Sequence, residues 1–396
     1  MVEEPLRGWP TRNVPVMGLT TGLNVGSVLL WAPVLSLIMR DLGASDFEIS
    51  LAAALWAAGS ALVQYQGGRI ADRAGRFPVM VYSSYANGLS LLLCALMPSW
   101  IPFAVLYAVY QAGNAMQSPT FSAFVGESVP PERRGSAYGF VEFSVGIGLI
   151  LGPLIASRLI PVIGTKALMG VSGVLILVAA VIRHMFLKET KPATSGTTPF
   201  RFAAVFKGRL RLVLLIWITF NVMLSLTMWG PFTSLHASDA QGLSKAQIAL
   251  FFALGSVVSA GSSLLAGQAV NRWGAYRTLA ASMGGTALAF IFWSAQRNLI
   301  WLGVGYALAG STFQMAMVAS DAFRVAAVED EIRGSAWGAI GTFASLTSAL
   351  VIPIAGAART ALHWSAAPFW MGAVAAVVAV WGVYRLTLED RRSGVV

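Results

Sequence analysis

Glu142 and Asp321 lie inside long apolar runs, and they set the chemistry this chain could do. A carboxylate surrounded by hydrocarbon tends to take up a proton or to find a partner, so both are candidates for coupling to proton movement. Glu142 stands about 10 Å along a helix that starts near residue 135, at 1.5 Å per residue. Coupling and structural hydrogen bonding both stay open for it. Asp321 has Arg324 one turn further on, a spacing that points to an ion pair with a snorkelling arginine. Uncharged polar residues recur at helical spacing in four other places. Thr20, Asn24, Ser27 and Trp31 share one face, and Tyr107, Gln111, Asn114 and Ser118 share another. Asn221, Ser225 and Trp229 align, while Tyr306 and Gln314 nearly align with Asp321. Such stripes could line a cavity for a small organic solute, or they could hydrogen-bond helix to helix. His236 and Asp239 fall at the end of a run, where a solvated loop is expected.

Other chemistries lack their residues. No Gly-Lys dipeptide occurs, so there is no GxxxxGK phosphate loop. Gly146-Ile-Gly148 and Gly303-Val-Gly305 lie in apolar stretches, where packing explains them better than nucleotide binding. Three histidines and one cysteine form no zinc-ligand pattern, so neither metal nor cofactor is expected. Cys94, inside an apolar run, reads as a packing residue. No nucleophile, acid and base stand together, which argues against an enzyme. A net charge of +10 could suggest nucleic acid, but the basic residues lie between apolar runs rather than on one surface.

The elements that would position these residues follow from composition. Of 396 residues, 56% are hydrophobic and 11% charged, against about 25% charged in soluble domains. Lipid is therefore the expected solvent, and the lipid bilayer a partner. A crossing needs about 20 apolar residues. Twelve runs qualify: 14–39, 47–67, 77–98, 100–126, 135–160, 166–188, 210–236, 245–270, 276–296, 299–326, 333–358 and 364–386. The N-terminus lacks a basic leader, so the first run is expected to be retained. Twelve runs put both termini on one side. That side then collects 21 of the 27 Lys and Arg residues, with Arg183 counted in the central connection, so both termini are expected in the cytoplasm. A bacterial-type inner membrane is the expected location.

A shift of 199 residues superposes local patterns. Gly68-Arg-Ile-Ala-Asp72-Arg73-Ala-Gly75 falls on Gly267-Gln-Ala-Val-Asn271-Arg272-Trp-Gly274. Arg134-Gly-Ser-Ala-Tyr-Gly139 falls on Arg333-Gly-Ser-Ala-Trp-Gly338, and Tyr107-Ala108 on Tyr306-Ala307. Ser45 to Glu48 falls on Ser244 to Gln247, and both read as helix capping boxes. The expected fold is thus an all-α membrane protein of twelve transmembrane helices in two pseudo-symmetric six-helix bundles. Residues 1–188 and 209–396 form the bundles and 189–208 a cytoplasmic linker. A complete pathway in one chain suits a monomer.

The segment from Gly68 to Arg76 resembles the signature loop of the major facilitator superfamily, between its second and third helices. Gly75 permits the turn, Asp72 can satisfy helix-end N–H groups, and Arg73 and Arg76 can hold the loop at the headgroups. The resemblance implies that Gly68, Asp72, Arg73 and Gly75 latch the halves on the cytoplasmic side. Gly148-Leu-Ile-Leu-Gly152-Pro153 resembles the antiporter-type motif of that superfamily, with Ala156-Ser157 in place of its trailing glycines; close helix packing is the plainer reading. The fourth run lacks the buried arginine that related antiporters often carry. What the resemblance implies is a secondary transporter driven by a proton gradient, exporting an amphipathic small-molecule substrate. Uptake or exchange of a sugar or other metabolite, and a non-transporting receptor on the same fold, are the alternatives.

Overall fold

The computed structural model describes residues 11–190, 205–228, 230–328 and 333–392, without the side chains of Tyr65, Gly68, Arg69, Asp72, Pro119, Val325, Arg333, Gly334, Ser335 and Arg392. Trp229 lies outside the described residues, as do the side chains of Gly68 and Asp72. The chain is helical. In order, α1 is Asn13–Val28, α2 Leu35–Asp41, α3 Asp46–Ala74, α4 Arg76–Leu96, α5 Trp100–Glu127, α6 Arg134–Phe186 and α7 Gly208–Leu226. Then come α8 Phe232–Asp239, α9 Lys245–Trp273, α10 Ala275–Ala295, α11 Leu299–Ala327, α12 Arg333–Ala361 and α13 Ala367–Arg392.

Three expected boundaries differ, each for a local reason. The first run breaks between α1 and α2 at a 3₁₀ turn over Ala32–Val34, where Pro33 supplies no N–H to an α-helical ladder. The seventh run ends at Leu226 and resumes at Phe232 after Pro231. The fifth and sixth runs join in α6, whose backbone leaves helical geometry at Gly164, with φ 78° and ψ 165°. At Gly75 and Gly274, which are repeat-equivalent, φ is 97° and 81°. A side chain would strain this left-handed backbone, so glycine stands where α3 turns into α4 and α9 into α10. The first capping box forms as its residues suggest. Ser45 N–H and Oγ–H both donate to Glu48 Oε2 at 2.7 Å, and Glu48 N–H donates back to Ser45 Oγ at 3.3 Å.

Ten helical stretches among the described residues are long and apolar enough to cross a membrane. One of them, over 131–186, has 56 residues and holds the Gly164 break, length enough for two crossings. Many large apolar side chains that water would reject are exposed. Leu62, Val162, Leu264, Ile300 and Leu350 are 66–75% exposed, which a protein surrounded by acyl chains tolerates.

The helices divide into two units. One comprises residues 1–43, 59–195 and 245–253; the other comprises 44–58, 196–244 and 254–396. In the first, α1 lies along α6, and α4 contacts both α5 and α6. Close approach of backbones makes this possible. A Cβ placed on Gly148 would lie 2.6 Å from Gly22 O and 2.8 Å from Gly26 N. Gly152, also buried, abuts Gly26 and Leu29, with Pro153 beside it. One on Gly173 would meet Leu92 N at 2.7 Å and Gly88 O at 2.9 Å. Below these contacts Val14, Met17, Met80, Phe124, Val141 and Leu187 form a buried cluster. In the second unit α7 packs on α12 and α13, and α10 on α11 and α13.

Gly146 and Gly148 give a paired test, because a Cβ at Gly146 meets nothing within 4 Å. Gly148→Ala should cost about 1–3 kcal/mol through overpacking, read as a lower melting temperature in detergent. Gly146→Ala should be neutral or slightly stabilising. Equal effects at both positions would refute the assigned α1–α6 contact.

Candidate functional site: a buried arginine in the first unit

The fourth run carries no arginine, but α6 delivers one to it. Arg183, 2% exposed, reaches across the first unit from the end of α6. Its Nε–H donates to Thr20 Oγ1 at 3.0 Å. Nη1 donates to Ser84 Oγ and to Gln117 Oε1, both at 2.9 Å, and Nη2 donates to Thr21 Oγ1 at 3.2 Å. These partners come from α1, α4 and α5, so one guanidinium joins four helices. None of them is charged, and no carboxylate pairs with Arg183 among the described residues. The hydroxyls are pre-oriented. Thr20 donates its own proton to Val16 O at 2.7 Å and Ser84 donates to Met80 O at 2.6 Å, which turns oxygen lone pairs toward the cation. Arginine suits such a place because it stays charged and offers five N–H groups in a fixed plane.

The polar stripes divide by burial. Thr20 and Ser27 are buried, and Ser27 donates to Asn24 O at 2.8 Å. Trp31 and Tyr107 are also buried, with ring centroids 5.8 Å apart and Tyr110 and Phe103 completing the aromatic cluster. Asn24, Gln111 and Asn114 are half-buried, Ser118 is exposed, and the Asn114 amide meets that of Asn87 at 3.2 Å. In the second unit Asn221, Ser225 and Gln314 are half-buried, while Tyr306 is buried against Trp293. Asn221 donates to Trp217 O at 2.9 Å, within its own helix.

Glu142 is exposed on α6. Asp321, also exposed, lies 3.7 Å from Arg324 Nη1. The Arg324 guanidinium sits 5.6 Å from the ring centroids of both Trp217 and Trp337, a cation–π contact with two indoles.

At the α3–α4 corner Arg73 is exposed, but Arg76 is not at the surface as its loop position suggested. Arg76 is 8% exposed and pairs with Glu127 at 3.2 Å, because the α5 end brings a carboxylate beneath the loop. Glu189 then caps α4. Its Oε1 accepts from Arg76 N at 2.8 Å and its Oε2 from Phe77 N at 3.2 Å, beside Gly75. Thr190 donates to Glu127 at 2.7 Å. In the second unit a carboxylate from the end of α13 takes a similar place. Asp390 accepts from Arg209 Nε at 2.8 Å, and Arg209 Nη2 donates to the Tyr276 hydroxyl at 2.6 Å. Tyr276 is the repeat equivalent of Phe77. Repeat-equivalent positions at the other helix ends carry opposite charges: Lys245 pairs with Asp41 in the first unit, and Asp46 with Arg359 in the second. Arg359 also binds Asp239 at 2.5 Å.

Sequence reasoning missed Arg183, Thr21, Ser84, Gln117, Glu127 and Glu189. For Arg183 a signal existed: an arginine inside the run 166–188, with Val181-Ile182 before it and Met185-Phe186-Leu187 just beyond His184.

A family model described as Major Facilitator Superfamily matches residues 17–238 and 215–395. The multi-drug resistance efflux pump PmrA of Streptococcus pneumoniae serotype 4 is 25% identical over 226 residues, which cover 55% of this chain and 56% of the pump. The chain spans about half the length of the first curated relatives it matches. The uncharacterized MFS-type transporter MJ1317 of Methanocaldococcus jannaschii is 24% identical over 388 residues, 93% of each chain. Among solved structures, the human organic anion transporter MFSD10 superposes with a TM-score of 0.69 at 16% identity, covering 94% of this chain and 99% of that one. That likeness is one of fold.

Glu189→Ala should remove the acceptor for the first N–H groups of α4 and cost about 1–2 kcal/mol. Thermal unfolding in detergent reads this directly, and an unchanged melting temperature would rule out the assigned cap.

Proposed function

Because the chain belongs to the Major Facilitator Superfamily, we propose that it moves a small organic solute across the cytoplasmic membrane by alternating access. The carrying observation is the match of one family model to both parts of the chain. Relatives and fold neighbours are transporters, not enzymes; some relatives are named as multi-drug resistance efflux pumps and another as a multidrug resistance protein. Export of an amphipathic compound is therefore the favoured direction and cargo. Two six-helix bundles, 1–188 and 209–396, joined by 189–208, would rock about a central substrate, with both termini cytoplasmic and one chain sufficient. The half-buried Asn24, Gln111, Asn114, Asn221, Ser225 and Gln314 are the proposed cavity contacts. Gly68, Asp72, Arg73 and Gly75 are the proposed cytoplasmic latch. No cofactor is invoked; the proton gradient supplies the work. Glu142 and Asp321 are the candidates for carrying that proton. A second reading, uptake or exchange of a sugar or other metabolite, draws on the amides of Gln111 and Asn114, which suit hydroxyl-bearing solutes.

The test is flux of a fluorescent amphipath in proteoliposomes under an imposed pH gradient. Glu142→Gln should abolish pH-driven accumulation while leaving exchange of solute for solute. Unchanged pH-driven flux in Glu142→Gln, Asp321→Asn and the double variant would remove both residues from coupling. Absence of flux by the wild-type protein for every solute tried would overturn the transporter reading.

A further inference from the structure

The Arg183 cluster is incomplete on one side. A guanidinium has five N–H groups. Four of those on Arg183 meet Thr20, Thr21, Ser84 and Gln117. Among the described residues the remaining Nη2 N–H has no acceptor. It is the edge nearest Thr21, which is half-buried where Thr20 and Ser84 are buried. Thr20 and Ser84 both spend their hydroxyl protons on backbone carbonyls. Among the described residues the Thr21 proton has no such acceptor. One helical turn further along α1 stands Asn24, half-buried, whose side-chain amide has no partner among the described residues.

Charge adds a second argument. Arg183 carries a full positive charge at 2% exposure, inside a membrane-spanning helix and among neutral groups. Buried charges are normally paired, because neutral partners satisfy hydrogen bonds without cancelling the field. The field of this cation therefore reaches the half-buried Thr21–Asn24 face. A cationic group arriving there is repelled, and an oxyanion is attracted.

We propose that the Arg183 Nη2 edge, Thr21 Oγ1 and the Asn24 amide form a subsite for the carboxylate of an anionic amphipathic solute. This deepens the transporter reading and rests on it. The carboxylate accepts from Nη2, from the Thr21 hydroxyl and from the Asn24 amide, and its charge neutralises the guanidinium. Arginine's planar fork fits this geometry, and charge-assisted bonds are the strong ones. Thr20, Ser84 and Gln117 act as positioning residues that hold the guanidinium plane.

The experiment uses the full chain in nanodiscs with two probes that differ only in charge, a dansyl-labelled long-chain monocarboxylate and its methyl ester. Energy transfer from tryptophan to dansyl reads binding. The wild type should bind the acid about tenfold or more tighter than the ester. Arg183→Gln should weaken acid binding to the level of the ester and leave ester binding unchanged, which a merely structural role would not do. Thr21→Val, which keeps the arginine and its three buried partners, should weaken the acid severalfold and spare the ester; it decides the matter if Arg183→Gln does not fold. Equal affinity for acid and ester, failure to bind either, or variants that weaken both probes alike would each overturn the proposal. Vesicle flux separates the two levels. Ester flux without acid preference would keep the transporter and lose the subsite. Acid preference without flux of either probe would keep the subsite and count against transport.

Discussion

A guanidinium buried among three hydroxyls and an amide is the interaction on which the first unit depends. Arg183 draws α1, α4 and α5 onto α6 at one point. Lipid offers no water to solvate such a charge, so its hydrogen bonds must come from the protein. Four neutral groups supply them, and each belongs to a helix already brought close by packing. Removal of the arginine would leave these groups facing one another. Removal of a buried partner, Thr20, Ser84 or Gln117, would leave part of a buried cation unsatisfied, the costlier error.

Packing and polarity work together here. Gly22 and Gly26 on α1 meet Gly148 and Gly152 on α6. Between helices in lipid the hydrophobic effect offers little, so close backbone contact and interhelical hydrogen bonds must hold the unit. The glycine seam brings α1 against the first part of α6, while Arg183 binds α1 from the last part, beyond the Gly164 break. A single backbone break thus lets one continuous element contact α1 twice, with close packing in one place and a charge in the other. Further charges are kept at helix ends, where Arg76 and Glu127, Arg209 and Asp390, and Lys245 and Asp41 find partners of opposite sign.

Much of this was legible in the residues. Apolar run length marked the helices, because a span must satisfy its backbone internally whatever its neighbours are. The 199-residue shift marked Gly75 and Gly274, whose positive φ values follow from their identity. The Ser45–Glu48 box needed local spacing alone. Breaks at Pro33, Gly164 and Pro231 were harder, since each residue also occurs inside continuous helices; Pro153 and Pro353 do not stop theirs. The site was least legible. Arg183 lies within a few positions of Lys188, so position along the chain alone groups it with the basic residues of the central connection. Thr20 falls on the polar stripe of α1, whereas its neighbour Thr21 is the less buried of the two. Periodicity identifies a shared face but not what that face meets, and a long arginine side chain can answer from a helix more than 160 residues away.

The central claim is that Arg183 is a fixed cation inside the helix bundle, held by uncharged partners. Side-chain ¹⁵N NMR of the protein in nanodiscs tests it most directly, with the Arg183 signals assigned by their loss in Arg183→Lys. The account predicts a guanidinium that rotates slowly about its C–N bonds and whose Nε–H exchanges with water far more slowly than those of exposed arginines such as Arg73. Rapid rotation and exchange at Arg183, matching Arg73, would contradict it.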